Sequence, residues 1–181
     1  MAKQSEAEKL NKAKTERALP ADINAEAALL SAMLIDSEVV SKGIEKIKEE
    51  YFYRNVHKLI FRTMQELFFE GIEIDQLTLI NRLERNNLLE KVGGIPYINE
   101  IADFVVSSAN FDYHLNIVTD QALLRHLILA ANGIIENCYT AAKPVKSIVD
   151  EAEQAIFAIA ELPSHQGFVR FDQISQEVLD N

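Results

Sequence analysis

One cysteine, Cys138, is all the thiol chemistry in the 181-residue chain, so neither an internal disulfide nor a cysteine-built zinc site can form. Basic residues are also scarce. Eighteen Lys and Arg stand against 28 Asp and Glu, a formal net charge of −10, which is the wrong sign for a surface that tracks a phosphate backbone. No apolar run approaches the roughly 18–20 residues of a membrane span. The opening Met1-Ala2-Lys3-Gln4-Ser5-Glu6 has no apolar signal-peptide core behind it. These absences predict a cytoplasmic protein with no membrane partner and little direct contact with nucleic acid.

The catalytic motifs are missing as well. The chain holds no GxxxxGKS or GxxxxGKT phosphate loop, which excludes nucleotide hydrolysis of the P-loop kind, and no GxGxxG, HExxH or GxSxG. No catalytic, cofactor-binding or metal-binding residue is expected. His57, His114, His126 and His165 are scattered and read as surface or boundary residues. His114 and His126, 12 residues apart, would stand about 18 Å apart along one helix, too far to share a metal. Asp75 could be imagined as a catalytic acid, but it stands where a helix N-cap belongs. Tyr51-Phe52-Tyr53 could stack bases, but with Glu49-Glu50 beside it and only Arg54 and Lys58 nearby it reads better as a core anchor.

What the chain does have is apolar content, 48%, enough for one proper core with an appendage. Residues 3–17 are locally basic: Lys3, Lys9, Lys12, Lys14 and Arg17 against Glu6, Glu8 and Glu16. This arm reads as a solvated terminus, with contact to nucleic acid as the alternative. From Pro20 the pattern is one of short helices between clear stops. Asn24 is the expected cap of a helix carrying Ala27, Ala28, Leu30, Leu34 and Ile35, and Asp36 of one carrying Val39, Val40, Ile44 and Ile47. A third helix is expected from near Asn55 to a stop at Gly71, and a fourth behind Asp75. Asn86-Asn87 and Gly93-Gly94 punctuate loops, and Pro96 suits the first turn of another helix. No segment alternates as a strand would. The fold class predicted is all-α, a compact helical bundle followed by a long antiparallel hairpin.

The hairpin follows from residues 109–161. Ala109 to Ala142 contains no proline and a single glycine, Gly133, which predicts one long helix. At 100° per residue it has two apolar seams. The wide one is Ile117, Leu123, Leu124, Leu127, Ile128, Ala131, Ile134, Ile135 and Cys138; nearly opposite lie Phe111, Leu115, Val118, Ala122 and Leu129. His114, Arg125 and Asn132 separate them on one side. Lys143-Pro144 breaks the helix. A return helix from Val145 to Glu161 offers the stripe Ile148, Val149, Ala152, Ala155, Ile156 and Ile159, with Phe157 roughly 80° beyond its edge. Pro163 to Gly167 reads as a linker, and Asp172 as the cap of a last amphipathic stretch with Phe171, Ile174, Val178 and Leu179. The organisation expected is an arm (1–19), a bundle (20–106), a hairpin (107–162) and a linker with the start of a further helix (163–181).

A fully buried large aliphatic side chain is worth roughly 1.5–3 kcal/mol, so a seam of four or five left in water forgoes on the order of 6–15 kcal/mol. That is comparable to the roughly 5–15 kcal/mol net stability of a whole domain. A two-helix hairpin cannot cover both faces of its own long helix. Part of the second seam can rest on the bundle, and the rest is expected to meet another chain. Ile117, Leu124, Ile128, Ile135 and Phe157 are the candidate interface residues.

In order, the chain resembles the amino-terminal part of bacterial replicative DNA helicases of the DnaB type. The matching stretches are Asn24-Ala25-Glu26-Ala27-Ala28-Leu29-Leu30, Asp36, and Tyr51 through Phe61. Gly71 through Leu79 and Leu89 through Ile98 follow, then Ser108-Ala109-Asn110, Tyr113, Ile117-Val118 and Leu123-Leu124-Arg125. Each is weak alone; the ordered series over residues 20–181 is specific. Ser31 departs from the family's usual glycine, and Val105-Val106-Ser107-Ser108 lacks the proline that often precedes the serine.

The resemblance implies a collar that sits above a hexameric ATPase ring, self-associates as a dimer or ring, and docks the carboxy-terminal domain of primase. It also implies a helicase loader as a further partner, and a linker helix beginning within Asp172 to Asn181. ATP and Mg would belong to an ATPase domain that this sequence does not reach, so it is expected to be a fragment. Tyr97, beside Gly93-Gly94, is the second candidate for the primase contact, with helix-entry packing as its alternative. The competing readings are another helical interaction module, notably the helicase-binding domain of primase, and an enzyme built around Asp75 or His57.

Overall fold

The computed structural model describes residues 18–161, which form seven α-helices and two single 3-10 turns and, among the described residues, no strand. Helix α1 (Ile23–Ile35) is the axis of the bundle. Every residue from Ala25 to Met33 is buried, so α1 is enclosed on all sides. Its cap is Asp22, whose Oδ1 accepts the N–H of Ala25 at 2.9 Å. Asn24, the expected cap, lies one residue inside the helix. Asp22 holds an extended backbone (φ −126°, ψ 95°), the geometry from which a side chain reaches the third N–H of a helix.

Asp36 caps α2 (Ser37–Lys46) as expected, accepting from Glu38 N–H at 2.9 Å. Gly43 lets α2 lie against the core, since a Cβ there would stand 2.8 Å from Met33 Sδ. A 3-10 turn (Glu49–Tyr51) then sends Tyr51 and Phe52 into the core, which settles the aromatic triplet as an anchor with only Tyr53 exposed. Helix α3 (Asn55–Phe69) buries His57, Leu59, Ile60, Phe61, Thr63, Met64 and Leu67. It ends at Gly71, whose φ of +70° lets Gly71 N–H reach Phe68 O and Ile72 N–H reach Leu67 O. Asp75 and Thr78 form a reciprocal capping box at the start of α4 (Gln76–Arg85), so Asp75 is the cap its position implied.

After the turn Glu90–Val92, α5 (Gly94–Ala102) returns across α1. Ser31 joins them, donating to Ala102 O at 3.3 Å and accepting from Val105 N–H at 3.1 Å. The Ser31 hydroxyl therefore secures the end of α5 and the loop behind it. The loop is pinned a second time where Ser108 Oγ donates to Asp36 at 2.5 Å.

Helix α6 (Phe111–Thr140) runs from the bundle out into the hairpin. Phe111, Leu115, Val118 and Ala122 are buried in the same hydrophobic core as α1 and α3, so the core continues unbroken into the first half of α6. The helix stops at Ala141 in the left-handed region (φ 43°), and Pro144 precedes α7 (Val145–Ala160). Helix α7 packs back on α6 with Ile148 and Ile159 buried and Ala152 and Ala155 half-buried. The expected arm (1–19, apart from Ala18-Leu19) and the linker with its Asp172 cap lie outside the described residues. Among the described residues no helix is long and apolar enough to cross a membrane, and no cluster of three or more metal-ligating side chains occurs.

Candidate functional site

The hairpin keeps a line of large apolar side chains in water. Leu124 is 46%, Ile128 37% and Ile135 52% exposed. Their spacings of four and seven residues place them along one side of α6. On α7, Phe157 is 63% exposed, as its angular offset from the packing stripe implied, and Val149 and Ile156 are exposed too. Tyr139 and Val145 add apolar surface around the hairpin's turn. Helix α7 therefore covers only part of the wide seam. Ile117 differs from the other candidates: it is half-buried against the bundle core, near the root of the hairpin. Leu129 also departs from expectation. By angle it belongs to the bundle-facing seam, yet it is exposed, because the bundle ends before reaching it.

A buried polar network joins residues of α1, α3 and α5. His57 is fully buried, not a boundary residue. Its Nδ1 lies 2.7 Å from Glu26 Oε2 and its Nε2 2.7 Å from Tyr97 Oη. Glu26, equally buried, also accepts the N–H of Tyr53 at 2.5 Å and of Arg54 at 3.3 Å. Nδ1 faces a carboxylate and donates to it, and in the neutral imidazole Nε2 then accepts from the Tyr97 hydroxyl. Tyr97 Oη in turn accepts from Arg54 Nη1 at 2.9 Å, with the guanidinium carbon 5.3 Å from the ring centre. Elements α1, α3 and α5 are thus tied by one directional chain of hydrogen bonds.

The order carboxylate, imidazole, hydroxyl has the outline of a nucleophile relay, but its electrostatics run the other way. Burial pushes the Tyr97 phenol above its ordinary value, and the nearby Arg54 charge offsets only part of that rise. The phenol stays protonated and is a poor nucleophile. The network holds the fold. Tyr97 is the fourth residue of α5, half-buried and engaged at its hydroxyl. Gly93 permits this fit, since a Cβ there would stand 2.9 Å from Tyr97 Cβ.

Arg125, read from sequence as a polar separator between seams, is buried and donates to Pro20 O at 2.9 Å and to Tyr51 O at 2.6 Å. Two signals pointed to these groups. Glu26 lies inside an otherwise apolar run, Ala25 to Leu30, and His57 falls three and four residues before the core pair Ile60-Phe61.

A family model described as the DnaB-like helicase N terminal domain matches residues 18–120. Replicative DNA helicase DnaC of Bacillus subtilis (strain 168) is 32% identical over 166 residues, covering 92% of this chain and 37% of that protein. Replicative DNA helicase DnaB of Mycobacterium leprae (strain TN) is 29% identical over 164 residues, covering 90% of this chain and 27% of its own length. The chain thus spans between about a quarter and two fifths of these two relatives. Among solved structures, the N-terminal domain of DnaB helicase from Mycobacterium tuberculosis superposes with a TM-score of 0.74 at 29% identity, covering 78% of this chain and 99% of that one. A DnaB-like replicative helicase whose structure was described with its interactions with primase gives a TM-score of 0.63 at 25% identity, covering 88% of this chain and 35% of that one.

Proposed function

Because the chain belongs to the DnaB-like helicase N-terminal domain family, we propose that it acts as the collar of a replicative DNA helicase, associating with copies of itself through the hairpin and docking primase. The exposed line Leu124, Ile128 and Ile135, with Phe157 on the return helix, carries this reading. Large aliphatic and aromatic groups in water are stabilised when a partner covers them, and a hairpin projecting beyond its bundle offers them without blocking the core. A neighbour in fold, the DnaB-like replicative helicase noted above, is described as interacting with primase, which supports the same partner here. We assign ATP and Mg no role within this chain, whose sequence has no phosphate loop. Unwinding of DNA driven by ATP is the proposed activity of the whole protein, with a loader as a further partner and the cytoplasm as its place. The primase-side alternative yields, since the matching family model is that of the helicase.

The test is calorimetric titration of this chain with the carboxy-terminal domain of its own organism's primase, repeated with a Leu124→Asp/Ile128→Asp chain. Saturable binding by the native chain is expected, weakened in the variant. Absence of heat with both partners folded, and with the helicase subunits assembled in a longer chain, overturns the primase part of the reading.

A further inference from the structure

The bundle holds α6 through one side chain at the point where the helix leaves it. On the bundle-facing seam Ala122 is buried, whereas Leu129, two turns further, is 57% exposed. Arg125 stands between them and is only 6% exposed. Its guanidinium reaches two other segments of chain. Nη1 donates to Pro20 O at 2.9 Å, in the stretch entering α1. Nη2 donates to Tyr51 O at 2.6 Å and more distantly to Glu50 O at 3.4 Å, in the turn between α2 and α3. The guanidinium carbon also lies 5.8 Å from the centre of the Tyr53 ring.

Carbonyl oxygens satisfy the donors of a buried guanidinium but leave its charge uncompensated. Burial pushes Arg125 below its ordinary value, and the charge of Glu26 acts in the opposite sense. Glu26 is well placed for this, since it grips the backbone N–H of the same Tyr53 whose ring lies beside the guanidinium. The carboxylate and the guanidinium thus meet at one residue, Tyr53, held by its backbone N–H on one side and flanked at its ring on the other.

The leverage is large. From Arg125 to the end of α6 is a rod of about 22 Å, so a rotation of roughly 10° at its root moves the tip by about 4 Å. An interface between identical subunits closes only if both present their faces at the matching angle. We propose that Arg125 is a positioning residue: with Glu26 as its counter-charge, it fixes the direction in which the hairpin leaves the bundle. It thereby sets the angle at which Leu124, Ile128 and Ile135 meet a second copy. Only that last consequence rests on the association reading; the direction of the hairpin is a property of the single chain.

The test reads that direction. Cys138 is the one cysteine and is exposed on the hairpin. It takes one spin label, and a Glu84→Cys substitution on the exposed side of α4 takes the second. Electron–electron double resonance is then recorded on the full chain, diluted with unlabelled chain so that only the intramolecular distance is measured. The native chain is expected to give one narrow distance. Arg125→Met, which fills the space but donates nothing, is expected to broaden and shift it while the bundle still unfolds cooperatively. Amides just beyond residue 125 should exchange at least roughly a hundredfold faster, the loss of about two charge-assisted hydrogen bonds, with α3 and α4 unchanged. Glu26→Gln keeps an acceptor for Tyr53 N–H and should broaden the distance in the same way, which decides the question should Arg125→Met not fold. An unchanged narrow distance in a folded variant of Arg125, or in Glu26→Gln where that variant must stand in, overturns the proposal. A narrow native distance in a chain that never self-associates would instead contradict the association reading and leave the role of Arg125 standing.

Discussion

His57 Nδ1 and Glu26 Oε2 lie 2.7 Å apart, 31 residues apart in sequence, with both side chains shut off from water. Removing Glu26 strands the buried donors of His57 and of the Tyr53 and Arg54 amides, at about 1–3 kcal/mol for each donor and so about 3–5 kcal/mol together. Glu26→Ala is therefore expected to lower stability by about that amount, read from the midpoint of urea unfolding at constant slope. A loss under about 1 kcal/mol would show that water or another donor replaces the carboxylate without penalty.

Tyr97→Phe deletes only a hydroxyl, yet that oxygen both accepts from Arg54 and meets His57 Nε2. The expected loss is about 1–3 kcal/mol, the penalty for orphaning a buried ring nitrogen. Arg54→Met should cost little in the Tyr97→Phe background but more in the native one, since the two share a bond. A double-mutant cycle checks this, and strictly additive values would contradict the network.

Two glycines should respond in opposite directions to alanine. Gly133 lies in the exposed half of α6, and an added Cβ there meets nothing within 4 Å. Gly133→Ala is expected to stabilise the chain by about 0.5–1 kcal/mol. Gly93 holds φ +97°, and its Cβ would press on Tyr97 at 2.9 Å, so Gly93→Ala is expected to cost at least about 1–2 kcal/mol. Thermal unfolding at low concentration separates the pair, and a shift of the same sign in both would refute the packing described.

Acid should weaken the fold in part through the carboxylates of Asp36 and Glu70. The Ser108 hydroxyl, with Glu38 N–H behind it, holds Asp36 below the usual carboxylate range, and the hydrogen bond from Arg82 does the same for Glu70. Both groups return to ordinary values on unfolding, so the unfolded chain binds more protons in acid. Their contribution is complete above the ordinary carboxylate range and disappears as the pH drops from about 5 through the depressed values. Glu70→Gln should flatten the fall of the urea midpoint over that window. An unaltered slope would mean the Arg82 pairing has no effect on stability.

Much of the architecture was legible because its signals are local. Asp36, Asp75 and Pro144 act on backbone within four residues, and each stands at the helix boundary that its chemistry implies. The seams of α6 followed from helical phase alone. Phase says which face a residue is on but not how far the neighbour beneath it extends, which is why Leu129 lies in water on a seam that is buried at Ala122. The partners of His57, Glu26 and Arg125 were illegible for a related reason. They lie at Tyr97, Tyr53 and Pro20, tens of residues away, and a polar side chain is buried only where the fold brings such partners together. Asp22 was missed by two residues, since Asn24 and Asp22 are both good caps and the backbone angle of Asp22 decides between them.

The central claim, that the hairpin's outer line is an association surface, is tested most directly by sedimentation velocity on the native chain and on Leu124→Asp/Ile128→Asp over a range of micromolar concentrations. Both substitutions fall on exposed positions, so helical circular dichroism should be unchanged. The native chain is expected to shift toward dimer or larger species with concentration, and the variant to remain monomeric. A native chain that stays monomeric throughout, or a variant that associates as the native chain does, would contradict the account.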